Sequence, residues 1–181
     1  MKKIAVNIVR GILVVLSKLP LKFHYFMGDI FAWIARVVFR YRYDVVMINL
    51  SRSFPDRKYK DLQTIAKDFY RHLGEIAAEA IWFSGSSYSR LRENGIVKIV
   101  NPEVLSEAYD NGPSVTVLST HCGNWEILGG LLGYETLSGK KFSFGEKDIT
   151  AVYKKLKNNV SDRVFAMNRI APLEEVGVEC E

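Results

Sequence analysis

The stretch that most constrains the fold is an apolar, strand-like run that ends near a histidine and leads through a tight turn into a helix. Residues 114–119 are rich in β-branched side chains, and His121 follows them. Gly123 permits a tight turn, and Asn124 is a favourable N-cap for a helix over residues 124–132. A strand that feeds into a helix is the repeating element of a parallel α/β sheet. Since ligands bind at the carboxyl edge of such sheets, we expect His121 to lie in a site.

The same alternation of strands and helices continues along the chain. Apolar side chains recur every three or four residues between 62 and 81, which predicts a helix and is the clearest helical pattern in the chain. The other predicted helices cover residues 88–93, 103–109 and 158–167, and the other predicted strands cover 95–100 and 149–153. The sequence therefore predicts an α/β fold with a partial, mainly parallel sheet flanked by helices. With only about three strands, we expect this sheet to be incomplete, or completed by strands from elsewhere.

The positive charge of the chain is concentrated in its amino-terminal third. Residues 1–60 contain twelve Lys and Arg side chains against three Asp and Glu, whereas the remainder contains thirteen against seventeen. This basic third is also the most apolar part of the chain. The combination favours an anionic membrane surface as partner and argues against nucleic acid; the alternative is an ordinary solvated helix edge.

Two apolar runs in this third, residues 4–19 and 23–39, are interrupted by Arg10, Asp29 and Arg36. Neither supplies about 20 uninterrupted apolar residues, the length that crosses a bilayer. We expect two amphipathic or partly inserted helices, with a single span as the alternative. The predicted organisation is a membrane-associated helical region over residues 1–58 and an α/β domain over residues 59–181.

A basic and aromatic segment, residues 40–43 (Arg-Tyr-Arg-Tyr), follows the second apolar run. Arginine and tyrosine both combine an apolar body with a polar tip, which suits the membrane–water interface. The alternative interpretation is the polar end of a helix.

The two cysteines, Cys122 and Cys180, form neither a disulfide framework nor a metal-binding spacing. They indicate a reducing, cytoplasm-facing compartment. Cys122 is poorly placed to act as a nucleophile with His121 as its base, because neighbouring side chains of an extended segment point apart. No metal or other cofactor is expected.

The chemistry predicted from the sequence centres on His121 and Glu126. A carboxylate that holds an imidazole makes a general base near neutral pH. The spacing alone is not specific, because His24 and Asp29 repeat it inside an apolar helix. There the five-residue offset places the two side chains apart around the helix, so His24 is predicted to be structural or interfacial.

Four ordered blocks of the sequence resemble the bacterial lipid A biosynthesis acyltransferases of the lauroyl/myristoyl type, within the lysophospholipid acyltransferase group. The most specific block is residues 120–126, Thr-His-Cys-Gly-Asn-Trp-Glu. Residues 40–56 resemble the arginine-rich join and the N-L…S-F-P segment of the family. Residues 69–72 resemble its first soluble helix, and residues 151–158 resemble its V-Y-R-P-L-K-N strand exit.

The resemblance implies a glycerol-phosphate-acyltransferase-like fold and the transfer of a fatty acyl chain from acyl carrier protein to a hydroxyl of a lipid A precursor. The reaction would take place at the cytoplasmic face of the bacterial inner membrane, in lipopolysaccharide synthesis. His121 would be the base and Glu126 its partner. Arg169 would bind phosphate or stabilise the charged transition state, with a basic residue at a helix end as the alternative. Asn124 and Trp125 would contribute to substrate binding, although core packing is an alternative for Trp125.

Members of this family are longer than this chain, so we expect it to lack the last third of the family's sequence. Two alternatives therefore stay open beside the lipid A reaction. One is an acyltransferase for another phospholipid or glycolipid acceptor, and the other is a truncated, non-catalytic membrane-associated fragment.

Overall fold

The computed structural model describes residues 2–120, 123–152 and 154–172, which fold into two compact units. Unit 1 contains Met1–Lys18 and Trp82–Glu181, and unit 2 contains Leu19–Ile81. The fold is mostly helical and has a small two-stranded parallel sheet. The division predicted at residues 58 and 59 stays a prediction.

The α-helices of the described residues are α1 (Lys2–Ser17), α2 (Leu21–Trp33), α3 (Tyr43–Ser53), α4 (Tyr59–Phe83), α5 (Tyr88–Asn94), α6 (Pro102–Asn111) and α7 (Asn159–Arg169). A π-helical turn (Ile34–Val38) continues α2, and 3₁₀ helices cover Trp125–Gly133 and Glu146–Asp148. The strands are β1 (Lys98–Ile99) and β2 (Glu135–Thr136), in parallel register with Lys98 opposite Glu135.

Helices that were predicted from periodicity and capping residues are confirmed in α4, α5, α6 and α7. The side chain of Ser87 accepts a hydrogen bond from the Arg90 amide at 3.3 Å and caps α5. The side chain of Asn158 accepts from the amides of Val160 and Ser161 and caps α7. These helices follow from local signals, because periodicity and caps act within a few residues of each other.

The predicted sheet is formed only in part. Within residues 95–100, β1 forms, but its partner β2 had not been predicted. The predicted strands at 114–119 and 149–153 are wrong for the residues that are described. They run without regular pairing, and Leu118 and Val152 are 89% and 96% exposed. A strand is stable only when neighbouring strands take up its backbone hydrogen bonds and cover its side chains, and the described chain gives these segments no such neighbours.

In unit 2, α2 and α4 approach closely at a pair of glycines. A Cβ atom added to Gly74 would lie 2.3 Å from the carbonyl oxygen of Gly28, and one added to Gly28 would lie 2.6 Å from that of Gly74. Beside this crossing, the Tyr25 hydroxyl donates to a Glu79 carboxylate oxygen at 2.9 Å. Burial, reinforced by that carboxylate, raises the pKa of Tyr25. Hydrogen atoms in place of side chains at both glycines therefore allow the two backbones to touch.

In unit 1, α1 packs against α7. Arg90 holds the carboxyl end of α1. The guanidinium lies 4.7 Å from the centre of the Trp82 ring and donates a hydrogen bond to the carbonyl of Ser17. A cation at the end of a helix also interacts favourably with the helix dipole. Burial lowers the pKa of Arg90. This contact fixes α1 to the end of α4.

Among the described helices, none alone is long and apolar enough to cross a bilayer. Residues Ile4–Ser17 and Leu21–Val38 meet that criterion only together, as an interrupted pair.

We predict that Gly74→Ala destabilises the protein, because the new methyl group would overlap the backbone of Gly28. Overpacking of this kind costs about 2 kcal/mol of unfolding free energy. Urea denaturation followed by circular dichroism measures the change. Gly11→Ala in α1 is the control, because no atom lies within 4 Å of the added Cβ. Since alanine has the better helix propensity, this change should raise the unfolding free energy by about 0.5 kcal/mol. Unchanged stability of Gly74→Ala would contradict the close crossing.

Candidate active site

Two local features predicted for the turn that leads into the candidate site, the glycine and the N-cap, are present in the structure. Gly123 has φ 75°, in the left-handed region where glycine is favoured. The side chain of Asn124 accepts a hydrogen bond from the Glu126 amide at 3.2 Å and caps the following helix. That helix is 3₁₀ rather than α. It places Glu126 in its first turn, where a carboxylate is stabilised by the exposed amides of the helix end.

Glu126 forms a bidentate ion pair with Arg169. The Arg169 Nε donates to one carboxylate oxygen at 2.6 Å, and a terminal guanidinium nitrogen donates to the other at 2.7 Å. The Glu126 side chain is only 11% exposed and the Arg169 side chain 24% exposed. Two parallel bonds between charged groups are stronger than single neutral ones and fix the orientation of both side chains. The carboxylate predicted to orient the base is therefore itself held in place.

The ion pair depends on close backbone packing between the 3₁₀ helix and α7. A Cβ atom added to Gly129 would lie 1.9 Å from the Arg169 carbonyl oxygen. Gly129 lies one turn after Glu126, so the absence of its side chain lets the end of α7 reach that carboxylate. Gly130 lies directly against Leu91 of α5, which packs the other side of the same helix. The glycine pair thus places this helix between α5 and α7.

The predicted site residues are only partly covered by the structure. His121 and Cys122 lie outside the described residues, so the contact predicted between His121 and Glu126 stays a prediction. Trp125 is 36% exposed at the start of the 3₁₀ helix. Glu126 and Arg169, which are 43 residues apart in sequence, are brought into direct contact. Asn124 lies beside them through its cap.

The other two histidines have separate surroundings. His24 is 5% exposed, and its Nδ1 donates to the Pro20 carbonyl at 3.1 Å, while Asp29 points to solvent. The pattern shared by His24 and Asp29 is thus split between two faces of α2, as predicted. His72 is half exposed on α4 and lies 3.3 Å from a Glu75 carboxylate oxygen. Within the described ranges, no group of three or more His, Cys, Asp and Glu is placed to hold a metal ion.

Sequence reasoning assigned Arg169 to a substrate and missed its pairing with Glu126. It also missed Gly129. An available signal was the Gly-Gly pair in the first turns of the predicted helix, since adjacent glycines inside a helix cost stability unless close packing requires them.

We predict that Arg169→Ala destabilises the protein by leaving the carboxylate of Glu126 without its paired cation. Breaking a buried ion pair from one side costs 3–5 kcal/mol, and we expect about 2 kcal/mol for this partly exposed pair. Arg169→Lys keeps the positive charge without the bidentate geometry, so its unfolding free energy should fall by less than that of Arg169→Ala. Urea denaturation measures both changes.

Arg92→Ala is the control for this prediction, because Arg92 is an exposed arginine in the last turn of another helix, α5. Its effect should stay within about 0.5 kcal/mol. Equal stability losses at Arg92 and Arg169 would mean that the ion pair contributes nothing specific.

The family model for the bacterial lipid A biosynthesis acyltransferases matches residues 1–173. No curated protein and no solved structure matches the chain. The family match includes the turn at Gly123 and both members of the Glu126–Arg169 pair. Since it covers nearly the whole sequence, this chain belongs to the bacterial lipid A biosynthesis acyltransferase family.

Proposed function

We propose that this acyltransferase moves a fatty acyl chain from acyl carrier protein to a hydroxyl of a lipid A precursor, with His121 as general base. The observation that carries the proposal is the fixed carboxylate of Glu126, five residues after His121 in the block that resembles the family. Family membership supports acyl transfer in general. The donor, the acceptor and the roles of the residues are the proposal.

His121 would take the proton from the acceptor hydroxyl as the oxygen attacks the thioester carbonyl. A hydroxyl is a weak nucleophile at neutral pH, so removing its proton during attack lowers the barrier. The tetrahedral intermediate then collapses, the carbon–sulfur bond breaks, and the thiolate leaves with the proton returned by the imidazolium. The products are an ester and the free thiol of the carrier.

Glu126 would fix the tautomer of His121 and stabilise the imidazolium that forms during attack. A carboxylate offers about four lone-pair positions, and the two bonds from Arg169 use two of them. Capacity for a bond from His121 is therefore retained. A carboxylate with a fixed orientation holds its partner more accurately than a mobile one, which supports catalysis.

Arg169 would act through this carboxylate in addition to the substrate-binding role implied by the resemblance. Its guanidinium is bound on one edge by Glu126, and its position at the end of α7 is set by the contact with Gly129. Because both groups of the pair are largely buried, Arg169 is well placed to position Glu126.

The proposed location is the cytoplasmic face of the inner membrane. In α1, Ile4, Ile8, Ile12 and Val15 recur at helical spacing and are each at least 55% exposed. The sequence of α1 contains no acidic residue. An apolar stripe on a basic helix favours an anionic lipid surface.

Acyl carrier protein is the proposed donor. Lys154, Lys155 and Lys157 are exposed and lie in the block that resembles the strand exit of the family. They would suit an acidic carrier or acidic lipid head groups, and a solvated face is the alternative.

We predict that His121→Ala reduces acyl transfer by at least about a hundredfold, the usual minimum contribution of a positioned general base. Membrane association should be unchanged. The measurement is transfer of a labelled acyl chain from acyl carrier protein to a lipid A precursor in detergent micelles. His72→Ala is the matched control, because that imidazole is exposed on α4, and it should retain full activity. Full activity of His121→Ala would refute the mechanism.

We predict that mass spectrometry of lipids from an expressing strain shows an added acyl chain on lipid A species, and that the His121→Ala strain lacks it. Acylation of a phospholipid or another glycolipid instead would refute the proposed acceptor and leave the acyltransferase assignment intact. A lipid profile unchanged by the active chain would favour a non-catalytic membrane-associated role.

A further inference from the structure

The segment between the π-helical turn and α3 presents aromatic and basic side chains together at the surface of unit 2. This segment, Arg36 to Tyr43, is called the 36–43 corner below. Phe39 is 75% exposed and Tyr41 is 57% exposed, although both are large and apolar in body. Phe39 is among the most exposed large apolar side chains of the described chain, so the corner presents it outward rather than burying it.

The backbone of the 36–43 corner adopts a costly conformation at two arginines. Arg40 has φ 47° and Arg42 has φ 52°, and they are the two non-glycine residues with positive φ in the described parts of the chain. Side chains with a Cβ are disfavoured in this region, where glycine is the usual choice. Strained residues persist where the surrounding structure fixes them, and they often mark functional segments.

Hydrogen bonds within the corner and from neighbouring helical residues of unit 2 hold this strained backbone. The Tyr41 amide donates to the Ala35 carbonyl at 2.8 Å, and the Tyr43 amide donates to the Arg40 carbonyl at 3.0 Å. The Tyr70 hydroxyl of α4 donates to the Tyr41 carbonyl at 2.5 Å. Tyr70 is 1% exposed and packs with Ala35 in the core of the unit. The corner is therefore set in one conformation by buried groups beneath it.

The charge of the 36–43 corner is positive. It contains Arg36, Arg40 and Arg42 and no acidic residue. The nearest acid along the chain is Asp44, whose carboxylate lies 4.0 Å from the Arg40 guanidinium. Both groups of that pair are well exposed, so it is weak and can exchange for another anion. The Arg40 guanidinium also lies 5.0 Å from the centre of the Tyr43 ring, which orients it.

We propose that the 36–43 corner docks on an anionic lipid surface, with Phe39 and Tyr41 in the interface and the exposed Arg40 and Arg42 on lipid phosphates. Charge complementarity and the exposed aromatic rings argue for this occupant. Aromatic rings partition into the interfacial layer, and guanidinium groups bind phosphate oxygens in bidentate geometry. Hydrogen bonds already hold the corner in one conformation, so it loses little conformational freedom on binding, which favours docking. The partner assumed is the membrane of the proposed function, but the docking does not depend on the catalytic roles of His121 and Glu126.

The charge arm of the test compares two arginines at opposite ends of α3. Arg42 precedes this helix and Arg52 lies in its last turn, about 15 Å away along the helix at 1.5 Å per residue. The full chain is sedimented with vesicles of phosphatidylcholine alone or with phosphatidylglycerol added. The double variant Arg40→Gln, Arg42→Gln should bind the anionic vesicles at least about tenfold more weakly. Arg52→Gln should bind like the wild type. The wild-type affinity should fall as salt is added.

The apolar arm compares two exposed phenylalanines of unit 2. Phe39→Ser should weaken vesicle binding by about tenfold, because a ring that enters the interface is lost. Phe54→Ser, at the far end of α3 and also exposed, should have little effect. Equal effects of the two changes would mean that general hydrophobicity, rather than the corner, governs binding.

A third variant separates docking from folding. Arg42→Gly removes the charge and also relieves the positive φ, so the unfolding midpoint should stay the same or rise. Binding to anionic vesicles should nevertheless fall about fivefold. A variant that is folded and stable yet binds poorly cannot be explained by misfolding.

The inference is overturned if the 36–43 corner variants bind anionic vesicles like the wild type. It is also overturned if they lose binding to acidic acyl carrier protein instead, which would make the occupant a protein. The proposed function is judged separately by transfer in detergent micelles. His121→Ala should lose transfer and keep vesicle binding, so failure of one proposal is distinguishable from failure of the other.

Discussion

The bidentate ion pair between Glu126 and Arg169 is the contact on which the candidate active site depends. It joins the first turn of a 3₁₀ helix to the last turn of α7 across 43 residues of sequence. Both charges are largely removed from water, so each requires the other. The close contact at Gly129 makes the pair possible, since a side chain there would separate the two backbones. In this way a packing constraint at one glycine sets the orientation of a carboxylate with a proposed chemical role.

In unit 2, close helix packing likewise fixes the conformation of exposed side chains. The glycine contact between α2 and α4 lets these helices touch, and Tyr70 of α4 reaches the carbonyl of Tyr41. Through that bond, a buried tyrosine holds two arginines in a conformation they would not adopt alone. The unit thus supports an exposed, basic and aromatic segment on a closely packed pair of helices.

Much of the helical structure could be predicted from sequence, whereas only one strand of the sheet, β1, could. The periodicity of α4 and the capping side chains of Ser87, Asn124 and Asn158 are local signals, and the structure follows them. The apolar run at 114–119 also looked like a strand by its composition. Its actual state depends on neighbours distant in sequence, and Leu118 is left exposed in the described chain. For the candidate site, the turn at Gly123 and the position of Glu126 were predicted, but the ion pair with Arg169 was not.

Apart from α3, which no sequence pattern had predicted, the sequence by itself determined the α-helices, the caps and the family of this protein. Periodicity, capping and motif order are properties of neighbouring residues. Tertiary structure decided which charges meet and which backbone positions are strained. Arg169 could have faced solvent or a phosphate, and only the packing of α7 against the 3₁₀ helix brings it to Glu126. Likewise, positive φ at Arg40 and Arg42 contradicts local preference and exists because buried groups hold it. Contacts between distant residues are set by burial and close packing, which no local pattern specifies.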